Sequence, residues 1–273
     1  MSDSHPSSVT SGTAVVTGAS LGIGAAYAQR LAKRGFDLVL VARNEQRLQT
    51  LAHSLATETG VNVRTIVADL THAADLAKVE ALLAEDTSIS LLVNNAGSST
   101  MAPLAVADID RMQRDIALNI TAPTRLTHAA LPGFLARNRG GIINIASVTS
   151  QLMRPGNTVY GGTKAYLLHL SQVLAAEVVG SGVQIQAVLP GATRTTLWDG
   201  SGLELHELPP SMVMEVDEMV DAALAGYDQK ELVTIPSLPD PADWQRFIDA
   251  RNALQPNLSH DHAADRYKQT AAA

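Results

Sequence analysis

The sequence predicts an α/β protein built on a doubly wound parallel sheet of about seven strands, with helices on both faces and three layers in all. Short β-branched runs alternate with longer amphipathic segments along the chain, and this alternation is typical of βαβ units. Several of the short runs, such as Leu38–Val41 and Ile142–Ile145, are almost continuously apolar. Strands that are buried on both faces of a parallel sheet have this pattern.

Strands and helices are expected to alternate in a regular order. The predicted strands are Ala14–Thr17, Asp37–Ala42, Val61–Ala68, Ile89–Asn94, Gly141–Ser147, Val183–Leu189 and Leu232–Ile235. The predicted helices are Gly22–Lys33, Glu45–Glu58, Ala73–Glu85, Asp108–Leu135 and Val159–Val179. After the last strand, Asp240 and Pro241 indicate the start of one more helix, because Asp is a favoured N-cap and proline fits the first helical turn. We expect this helix to cover a core edge or a partner subunit.

The length of 273 residues fits one domain. We expect a flexible N-terminus over residues 1–12, a single folded domain over residues 13–255 and a polar tail over residues 256–273. The N-terminus is polar and rich in serine, and it lacks the apolar core of a signal peptide. No apolar stretch is long enough to span a bilayer. These features predict a cytoplasmic protein that has no membrane partner.

Composition excludes several classes of function. The chain contains no cysteine, which excludes disulfides, thiolate metal sites and cysteine nucleophiles. The formal net charge of −7 leaves no basic footprint, so a nucleic acid partner is not expected. His53, His72, His128 and His169 are isolated in helical contexts and His260 and His262 lie in the polar tail, and no metal site is predicted from them. Redox chemistry in such a chain requires a bound cofactor.

A glycine-rich run lies directly between the first predicted strand and the first predicted helix. Gly18, Gly22 and Gly24 have the spacing G-x-x-x-G-x-G. Glycines let the backbone turn sharply and approach a pyrophosphate, whose charge is favoured at a helix N-terminus. Placed between strand and helix, the run predicts a dinucleotide cofactor. The alternative is a turn that only begins the helix.

Arg43 stands at the end of the second strand, about where a dinucleotide fold carries an acidic residue that holds the ribose 2′-hydroxyl. The planar guanidinium of an arginine can instead pair with a 2′-phosphate. Arg43 therefore favours NADP(H) over NAD(H). The alternative is a solvated arginine at the start of the next helix.

Tyr160 and Lys164 are four residues apart, which is about one helical turn, so their side chains share a helix face. A positive charge about 4 Å from a phenol, at an effective dielectric of about 20, is worth about 4 kcal/mol, or about three pKa units. We therefore expect Lys164 to lower the pKa of Tyr160 toward neutrality. The alternative is an ordinary pair on a helix surface.

These features, with Asn94–Gly97 after the fourth strand and Ser147 thirteen residues before Tyr160, make the chain resemble the short-chain dehydrogenase/reductase family. The resemblance covers about residues 13–235. It implies a single Rossmann-like domain that binds NADP(H) and transfers a hydride between this cofactor and a carbonyl or secondary alcohol substrate. It also implies a homodimer or a homotetramer, and it requires no metal.

The resemblance assigns roles residue by residue. Tyr160 would give a proton to the carbonyl oxygen, Ser147 would polarise that oxygen, and Lys164 would tune the tyrosine and hold the nicotinamide ribose. Asn119 would anchor a water that links Lys164 to solvent. The cofactor-binding residues implied, besides Tyr160 and Lys164, are Gly18, Ser20, Leu21, Gly22, Ile23, Gly24, Arg43, Asp69, Leu70, Asn95, Ala96, Gly97, Pro190, Gly191, Thr193 and Thr195. The alternatives are that Asn119 belongs only to a helix kink and Ser147 only to a turn.

Two further segments, the adjacent glycines 161–162 and residues 194–214, have unusual compositions. Gly161 and Gly162 each cost about 1 kcal/mol relative to alanine in a helix interior, so a close neighbour is expected to require small residues there. Residues 194–214 are apolar but are interrupted by glycine and proline, which predicts a mobile lid over a largely apolar substrate. The alternative is a loop packed permanently on the core. The apolar residues of this segment are Leu197, Trp198, Leu203, Leu205, Leu208, Met212 and Met214.

The function predicted from the sequence is an NADPH-dependent ketone or aldehyde reductase, or an alcohol dehydrogenase in the reverse direction. The alternatives are a non-catalytic NADP-binding sensor and a partner-binding module on the same fold. A sensor would not need Ser147, Tyr160 and Lys164 together.

Overall fold

The computed structural model describes residues 11–202 and 205–268. The strands are β1 (Thr13–Thr17), β2 (Asp37–Ala42), β3 (Val63–Val67), β4 (Ile89–Asn94), β5 (Gly140–Ile145), β6 (Val183–Val188), β7 (Ala192–Thr193), β8 (Val213–Met214) and β9 (Val233–Thr234). The α-helices are α1 (Gly22–Lys33), α2 (Glu45–Thr59), α3 (Ala73–Glu85), α4 (Ile109–Ile116), α5 (Ala122–Ala136), α6 (Thr158–Glu177), α7 (Val216–Asp228) and α8 (Pro241–Asn252).

The described strands form a seven-stranded sheet in the order β3-β2-β1-β4-β5-β6-β9, and all of its neighbours pair in parallel. This confirms the predicted doubly wound α/β fold. The chain leaves β1 toward β2 on one side, whereas β4 lies on the other side of β1. The strand order therefore reverses between β1 and β4, and a crevice at their carboxyl ends is where ligands bind in such sheets.

Two apolar cores cover the two faces of the sheet. On one face, alternate residues of the central strands, including Val16 and Leu40, pack with α1, α2 and α7. On the other face, the opposite residues of the same strands, including Val15 and Val39, pack with α3, α5 and α6. Because both sets of alternate residues are buried, the central strands need apolar side chains throughout, as the sequence pattern indicated.

The long helix predicted over Asp108–Leu135 is divided in the structure. Helices α4 and α5 are joined by a π-helical segment, Ala117–Thr121, and Asn119 lies at its centre. Segments of π-helix are rare and occur frequently at functional sites. The helical hydrogen bonding is therefore irregular where Asn119 is buried.

Other elements differ from the prediction. Helix α7 was not predicted, although its buried residues Met219, Val220, Ala223 and Leu224 have helical spacing. Strand β3 is shorter than the predicted Val61–Ala68. Strands β7 and β8 form a separate two-stranded parallel sheet, which the sequence did not suggest because each has only two residues.

The chain divides into two compact units, Met1–Pro236 and Ser237–Ala273. The second unit contains α8, which begins as predicted: the Asp240 carboxylate accepts a hydrogen bond from the Ala242 amide at 2.9 Å, and Pro241 lies in the first turn. The predicted single domain over residues 13–255 included α8, whereas the structure groups this helix with the C-terminal unit.

The two adjacent glycines of α6 have different surroundings. A Cβ atom on Gly161 would lie 2.6 Å from the Asn157 side-chain nitrogen and 3.1 Å from the Thr149 carbonyl oxygen. A Cβ atom on Gly162 would have no neighbouring atom within 4 Å. The structure therefore shows a close neighbour for Gly161 only.

We expect Gly162→Ala to stabilise the protein and Gly161→Ala to destabilise it. Alanine in an open helical position gains up to about 1 kcal/mol over glycine, whereas at position 161 the same methyl group meets Asn157. Denaturant unfolding of the two variants measures this difference. Equal effects of the two substitutions would contradict it.

Candidate active site

Two adjoining clefts lie at the carboxyl ends of the central strands. The outer cleft has a volume of about 700 Å³ and the inner one about 400 Å³. Both are lined by the glycine-rich loop after β1, by the segment after β4 and by Arg43 and Arg111. The clefts therefore lie where the strand order reverses, at the position that the topology predicts.

The glycine-rich loop is held against the end of β4 by Asn95. The Asn95 side-chain nitrogen donates to the carbonyl oxygens of Thr17 at 2.8 Å and Gly18 at 3.2 Å. A Cβ atom on Gly18, where φ is +65°, would come within 2.8 Å of that nitrogen, and one on Gly24 would lie 2.3 Å from the Gly18 carbonyl oxygen. Glycine is therefore required by this close packing as well as by the turn.

Helix α1 begins beside this loop without a side-chain cap. Its N-cap residue is Leu21, which makes no side-chain hydrogen bond. The first-turn N–H groups of a helix have no partner within the helix itself. With the positive end of the helix dipole, they suit an anionic ligand.

The outer cleft is rich in arginine. Its lining includes Arg43, Arg47, Arg111 and Arg114 together with the Asp69–Leu70 turn. The guanidinium groups of Arg43 and Arg47 form no hydrogen bond or ion pair with any residue that the structure describes, so their donors remain available. Sequence reasoning singled out Arg43 and missed Arg47, Arg111 and Arg114.

The Asp69 carboxylate forms hydrogen bonds within its own turn. Its carboxylate accepts hydrogen bonds from the Thr71 amide at 3.0 Å and hydroxyl at 2.7 Å. Burial acts to raise the pKa of Asp69, but the Thr71 hydrogen bonds and the charge of Arg43 hold it below its usual value. Asp69 therefore lines the cleft as a fixed anion.

Ser147, Tyr160 and Lys164 line the inner cleft together. The Lys164 ammonium donates to the Ile145 carbonyl oxygen at 2.8 Å and lies 5.7 Å from the centroid of the Tyr160 ring. The Ser147 hydroxyl accepts a hydrogen bond from the Thr149 amide at 3.1 Å. All three side chains are buried, with exposed fractions of 6% for Ser147, 3% for Tyr160 and 4% for Lys164.

Burial determines the pKa values of Tyr160 and Lys164, and the direction for Tyr160 differs from the one expected from the sequence. Desolvation raises the pKa of Tyr160 to about 12, although the Ser147 hydroxyl opposes the shift. Desolvation also lowers the pKa of Lys164 to about 8. The prediction that the pKa of Tyr160 shifts toward neutrality was therefore wrong in direction. The spacing of Tyr160 and Lys164 in the sequence does not reveal that both side chains are buried.

Asn119 is completely buried behind the cleft. Its side-chain oxygen accepts from the Ser98 amide at 3.0 Å, and its nitrogen donates to the Ser98 carbonyl oxygen at 2.9 Å and to the Thr163 hydroxyl at 3.1 Å. The π-helical segment thus places one amide side chain against both the loop after β4 and α6. The predicted role for Asn119 in anchoring a water stays a prediction.

The structure brings most of the predicted residues together at the two clefts. Those that line at least one of them are Gly18, Ser20, Leu21, Gly22, Ile23, Arg43, Asp69, Leu70, Asn95, Ala96, Gly97, Ser147, Tyr160, Lys164, Pro190, Gly191, Thr193 and Thr195. Gly24 and Asn119 support the lining from behind.

The predicted lid segment, residues 194–214, borders the inner cleft with Leu197 and Trp198. Leu203 lies outside the described residues. Trp198 is buried and its indole donates to the Thr193 carbonyl oxygen at 2.8 Å. This contact fixes the start of the segment.

We call residues 198–202 the strap, because two hydrogen bonds tie them to the opposite side of the cleft. The Met101 amide donates to the Ser201 carbonyl oxygen at 2.7 Å, and the Arg111 guanidinium donates to the Gly200 carbonyl oxygen at 2.8 Å. A Cβ atom on Gly202 would lie 2.2 Å from the Met101 carbonyl oxygen. The expectation that residues 194–214 form a mobile lid stays a prediction.

Among the described residues, no group of three or more His, Asp or Glu side chains could hold a metal ion. Within the same residues, no helix has the length and apolarity needed to cross a membrane.

We expect Arg111→Ala to loosen the strap. The loss of one charged hydrogen bond should raise amide exchange at residues 199–202 by roughly tenfold, the factor given by about 1.4 kcal/mol. Hydrogen exchange followed by mass spectrometry measures this effect, with Arg114→Ala on the next turn of α4 as the control. Unchanged exchange in Arg111→Ala would show that Arg111 does not hold the strap.

Comparison with known proteins identifies the family. A family model for short chain dehydrogenases matches residues 12–204. A short-chain dehydrogenase from Sphingobium yanoikuyae, solved in complex with NADPH, is 49% identical with a TM-score of 0.90, and the match covers 94% of this chain and 100% of that chain. A bulky-bulky ketone specific alcohol dehydrogenase from Comamonas testosteroni is 46% identical with a TM-score of 0.86, covering 94% and 98% of the two chains.

A curated relative gives a more distant match. The very-long-chain 3-oxoacyl-CoA reductase of Anas platyrhynchos is 38% identical over 182 residues, which are 65% of this chain and 58% of that protein. The chain thus spans about six tenths of the length of the curated relatives it matches first. The fold, the position of the clefts and these matches agree with the sequence motifs, and the chain belongs to the short-chain dehydrogenase family.

Proposed function

We propose that this protein is an NADPH-dependent carbonyl reductase that acts on ketones or aldehydes with largely apolar substituents. The observation that carries the proposal is that Ser147, Tyr160 and Lys164 line one cleft with the glycine-rich loop. A group able to donate a proton thus shares a cleft with a loop suited to a pyrophosphate. Neither a sensor nor a partner-binding module requires this combination.

The residues present fit a dinucleotide. Gly18 and Gly24 leave the loop without side chains at its two most closely packed positions, and α1 begins with no side-chain cap. The guanidinium groups of Arg43 and Arg47 line the outer cleft and have no hydrogen-bond or ion-pair partner in the part of the chain that the structure describes, which suits the 2′-phosphate of NADP(H). The S. yanoikuyae relative in complex with NADPH supports this choice. When bound, the nicotinamide supplies the hydride.

The chain's own residues perform the proton chemistry. A tyrosine phenol is protonated at neutral pH already at its ordinary pKa, and burial, which raises the pKa of Tyr160 to about 12, keeps it so. The phenol can therefore donate to a carbonyl oxygen that gains electrons. Ser147 offers a second donor to the same oxygen, and two donors stabilise the charge that develops there. Lys164, fixed by Ile145, is positioned to hold a ribose hydroxyl and to stabilise the phenolate after proton transfer.

Part of the inner cleft's wall is apolar, beside its polar lining. Leu197 and Trp198 line it from the strap side, and Ile145 and Pro190 line it from the sheet side. The C. testosteroni relative is specific for bulky-bulky ketones and matches this chain almost end to end. We therefore favour a ketone with two bulky substituents over a 3-oxoacyl thioester, because the 3-oxoacyl-CoA reductases match a smaller part of the chain.

Oligomerisation to a homodimer or homotetramer, and a cytoplasmic location, are consistent with this proposal and stay predictions. Gel filtration with light scattering tests the first of them.

We expect Arg43→Ala to lower kcat/KM for NADPH by about tenfold to a hundredfold and to leave kcat/KM for NADH nearly unchanged. The substitution removes a charged hydrogen bond to the 2′-phosphate, worth about 1.5–3 kcal/mol. The ratio of kcat/KM for the two cofactors measures this effect. Arg64→Ala, which breaks a surface ion pair with Asp86 outside the clefts, is the control. Equal use of both cofactors by the unaltered protein would contradict the assignment.

The function itself is tested with a panel of bulky aryl ketones, aldehydes and 3-oxoacyl thioesters, each with NADPH and NADH. We expect the bulky ketones to be reduced fastest with NADPH. Tyr160→Phe should lower kcat by about a hundredfold to ten-thousandfold, the usual contribution of general acid catalysis. The matched control is Tyr166→Phe, on the same helix, where the hydroxyl bonds Thr124 at 2.8 Å. Similar rates in both variants would refute the role of Tyr160.

A further inference from the structure

A row of four buried polar side chains crosses the core between the sheet and the helices α5 and α6. Asn94 of β4 and Asn144 of β5 are register partners, and the Asn94 side-chain nitrogen donates to the Asn144 side-chain oxygen at 2.9 Å. The same nitrogen donates to the Thr127 hydroxyl of α5 at 3.1 Å. The Asn144 side-chain nitrogen donates to the Ser171 hydroxyl of α6 at 2.9 Å. None of the four residues is more than 4% exposed, so hydrogen bonds join two strands to two helices inside the core.

Stability alone does not explain this row. Buried amides must be hydrogen-bonded to offset the loss of water, and replacing both partners of a buried pair by apolar groups of the same shape is often nearly neutral. The Asn94 side-chain oxygen is buried and has no hydrogen-bond partner among the described residues, which is unfavourable. Hydrogen bonds are directional, however, and a buried polar network fixes the elements that it joins in one arrangement.

The proposed catalytic residues lie on the two elements that the hydrogen bond between Asn144 and Ser171 joins. Ser147 follows the end of β5, three residues after Asn144. Tyr160 and Lys164 lie on α6. The distance from the Ser147 hydroxyl to the other two side chains therefore depends on how α6 is placed against β5.

Two hydrogen bonds tie α6 to consecutive residues of β5. The Lys164 ammonium donates to the Ile145 carbonyl oxygen at 2.8 Å. Ser171, which is two helical turns after Lys164 and so on the same face of α6, accepts from Asn144. The Ser171 hydroxyl gives its own proton to the Leu167 carbonyl oxygen at 2.7 Å, which leaves its lone pairs for the Asn144 nitrogen. Two ties at separate points along α6 oppose sliding and rotation of the helix on the strand.

We propose that Asn144 and Ser171 are positioning residues whose hydrogen bond fixes α6 against the end of β5 and thereby sets the geometry of the three proposed catalytic residues, a role that rests on the proposed function. Neither residue lines either cleft. They act through the placement of α6 and do not touch the substrate or the cofactor.

Ser171→Ala tests this role, because it removes the hydroxyl that accepts from Asn144. We expect kcat for ketone reduction with NADPH to fall by about tenfold, since a small misplacement of reacting groups costs up to about a hundredfold. KM for the ketone should change by less than about twofold, because the walls of the inner cleft are retained.

Thr127→Val is the matched control. It removes a buried hydroxyl from the same row and preserves the side-chain shape, but this hydroxyl joins the row to α5, which carries none of the three proposed catalytic residues. We expect its kcat to stay within about twofold of the unaltered protein, although denaturant unfolding should show a similar loss of stability in both variants. An equal fall of kcat in Ser171→Ala and Thr127→Val would overturn the proposal.

A second pair of variants separates the hydroxyl from the volume of the side chain. Ser171→Thr and Ser171→Val add nearly the same volume to the core, but only threonine keeps a hydroxyl that can accept from Asn144. We expect kcat of the threonine variant to exceed that of the valine variant by about threefold to tenfold, the factor that one buried hydrogen bond gives. Equal kcat values in the two variants would contradict the role of the hydroxyl.

A further readout does not depend on turnover. Acylation by acetic anhydride, followed by mass spectrometry, compares Lys164 with the exposed Lys78. Because Lys164 is buried and bonded to Ile145, its acylation follows the fraction of time for which this contact is broken. Ser171→Ala should raise the relative rate by about threefold to tenfold, and Thr127→Val should leave it unchanged.

The acylation rate also separates the two proposals. An unchanged rate at Lys164 in Ser171→Ala would overturn the positioning role, whatever the activity of the variant. A faster rate in a protein that reduces no ketone would refute the proposed function and leave the placement of α6 by Ser171 standing.

Discussion

The burial of Tyr160 and Lys164 is the constraint on which the rest of the site depends. Both side chains are almost fully enclosed, so water stabilises neither charged form. Burial accordingly moves the pKa of the phenol up to about 12 and that of the ammonium down to about 8. In such surroundings a nearby charge or hydrogen bond has a larger effect than at the surface, and the placement of Ser147 beside the phenol therefore matters.

The fold supplies this enclosure through contacts between segments that are distant in sequence. Asn95 joins the end of β4 to the loop after β1, and Asn119 joins the loop after β4 to α6. The first contact closes the glycine-rich loop, and the second fixes the wall behind Lys164. The π-helical segment between α4 and α5 places Asn119 where it reaches both neighbours.

Much of the fold was predictable because its signals are local. Continuous apolar runs predicted the central strands, and the glycine spacing between β1 and α1 predicted the cofactor loop. The contacts of Arg111 and Ser98 could not be predicted, because they join α4 to the strap and the loop after β4 to the π-helical segment. The direction of the Tyr160 pKa shift was missed for the same reason: spacing gives the distance between two charges, but burial depends on the whole fold. Helix α7 was missed despite a clear apolar spacing that the sequence already contained.

The pH dependence of the unaltered protein in both reaction directions tests the central claim most directly. If burial keeps Tyr160 protonated, kcat/KM for alcohol oxidation should rise from about pH 7 to about pH 9, because the phenol must lose its proton to accept one from the alcohol. Over the same range, kcat/KM for ketone reduction should not increase. Oxidation that is already maximal at neutral pH, or that falls as the pH is raised, would contradict the account.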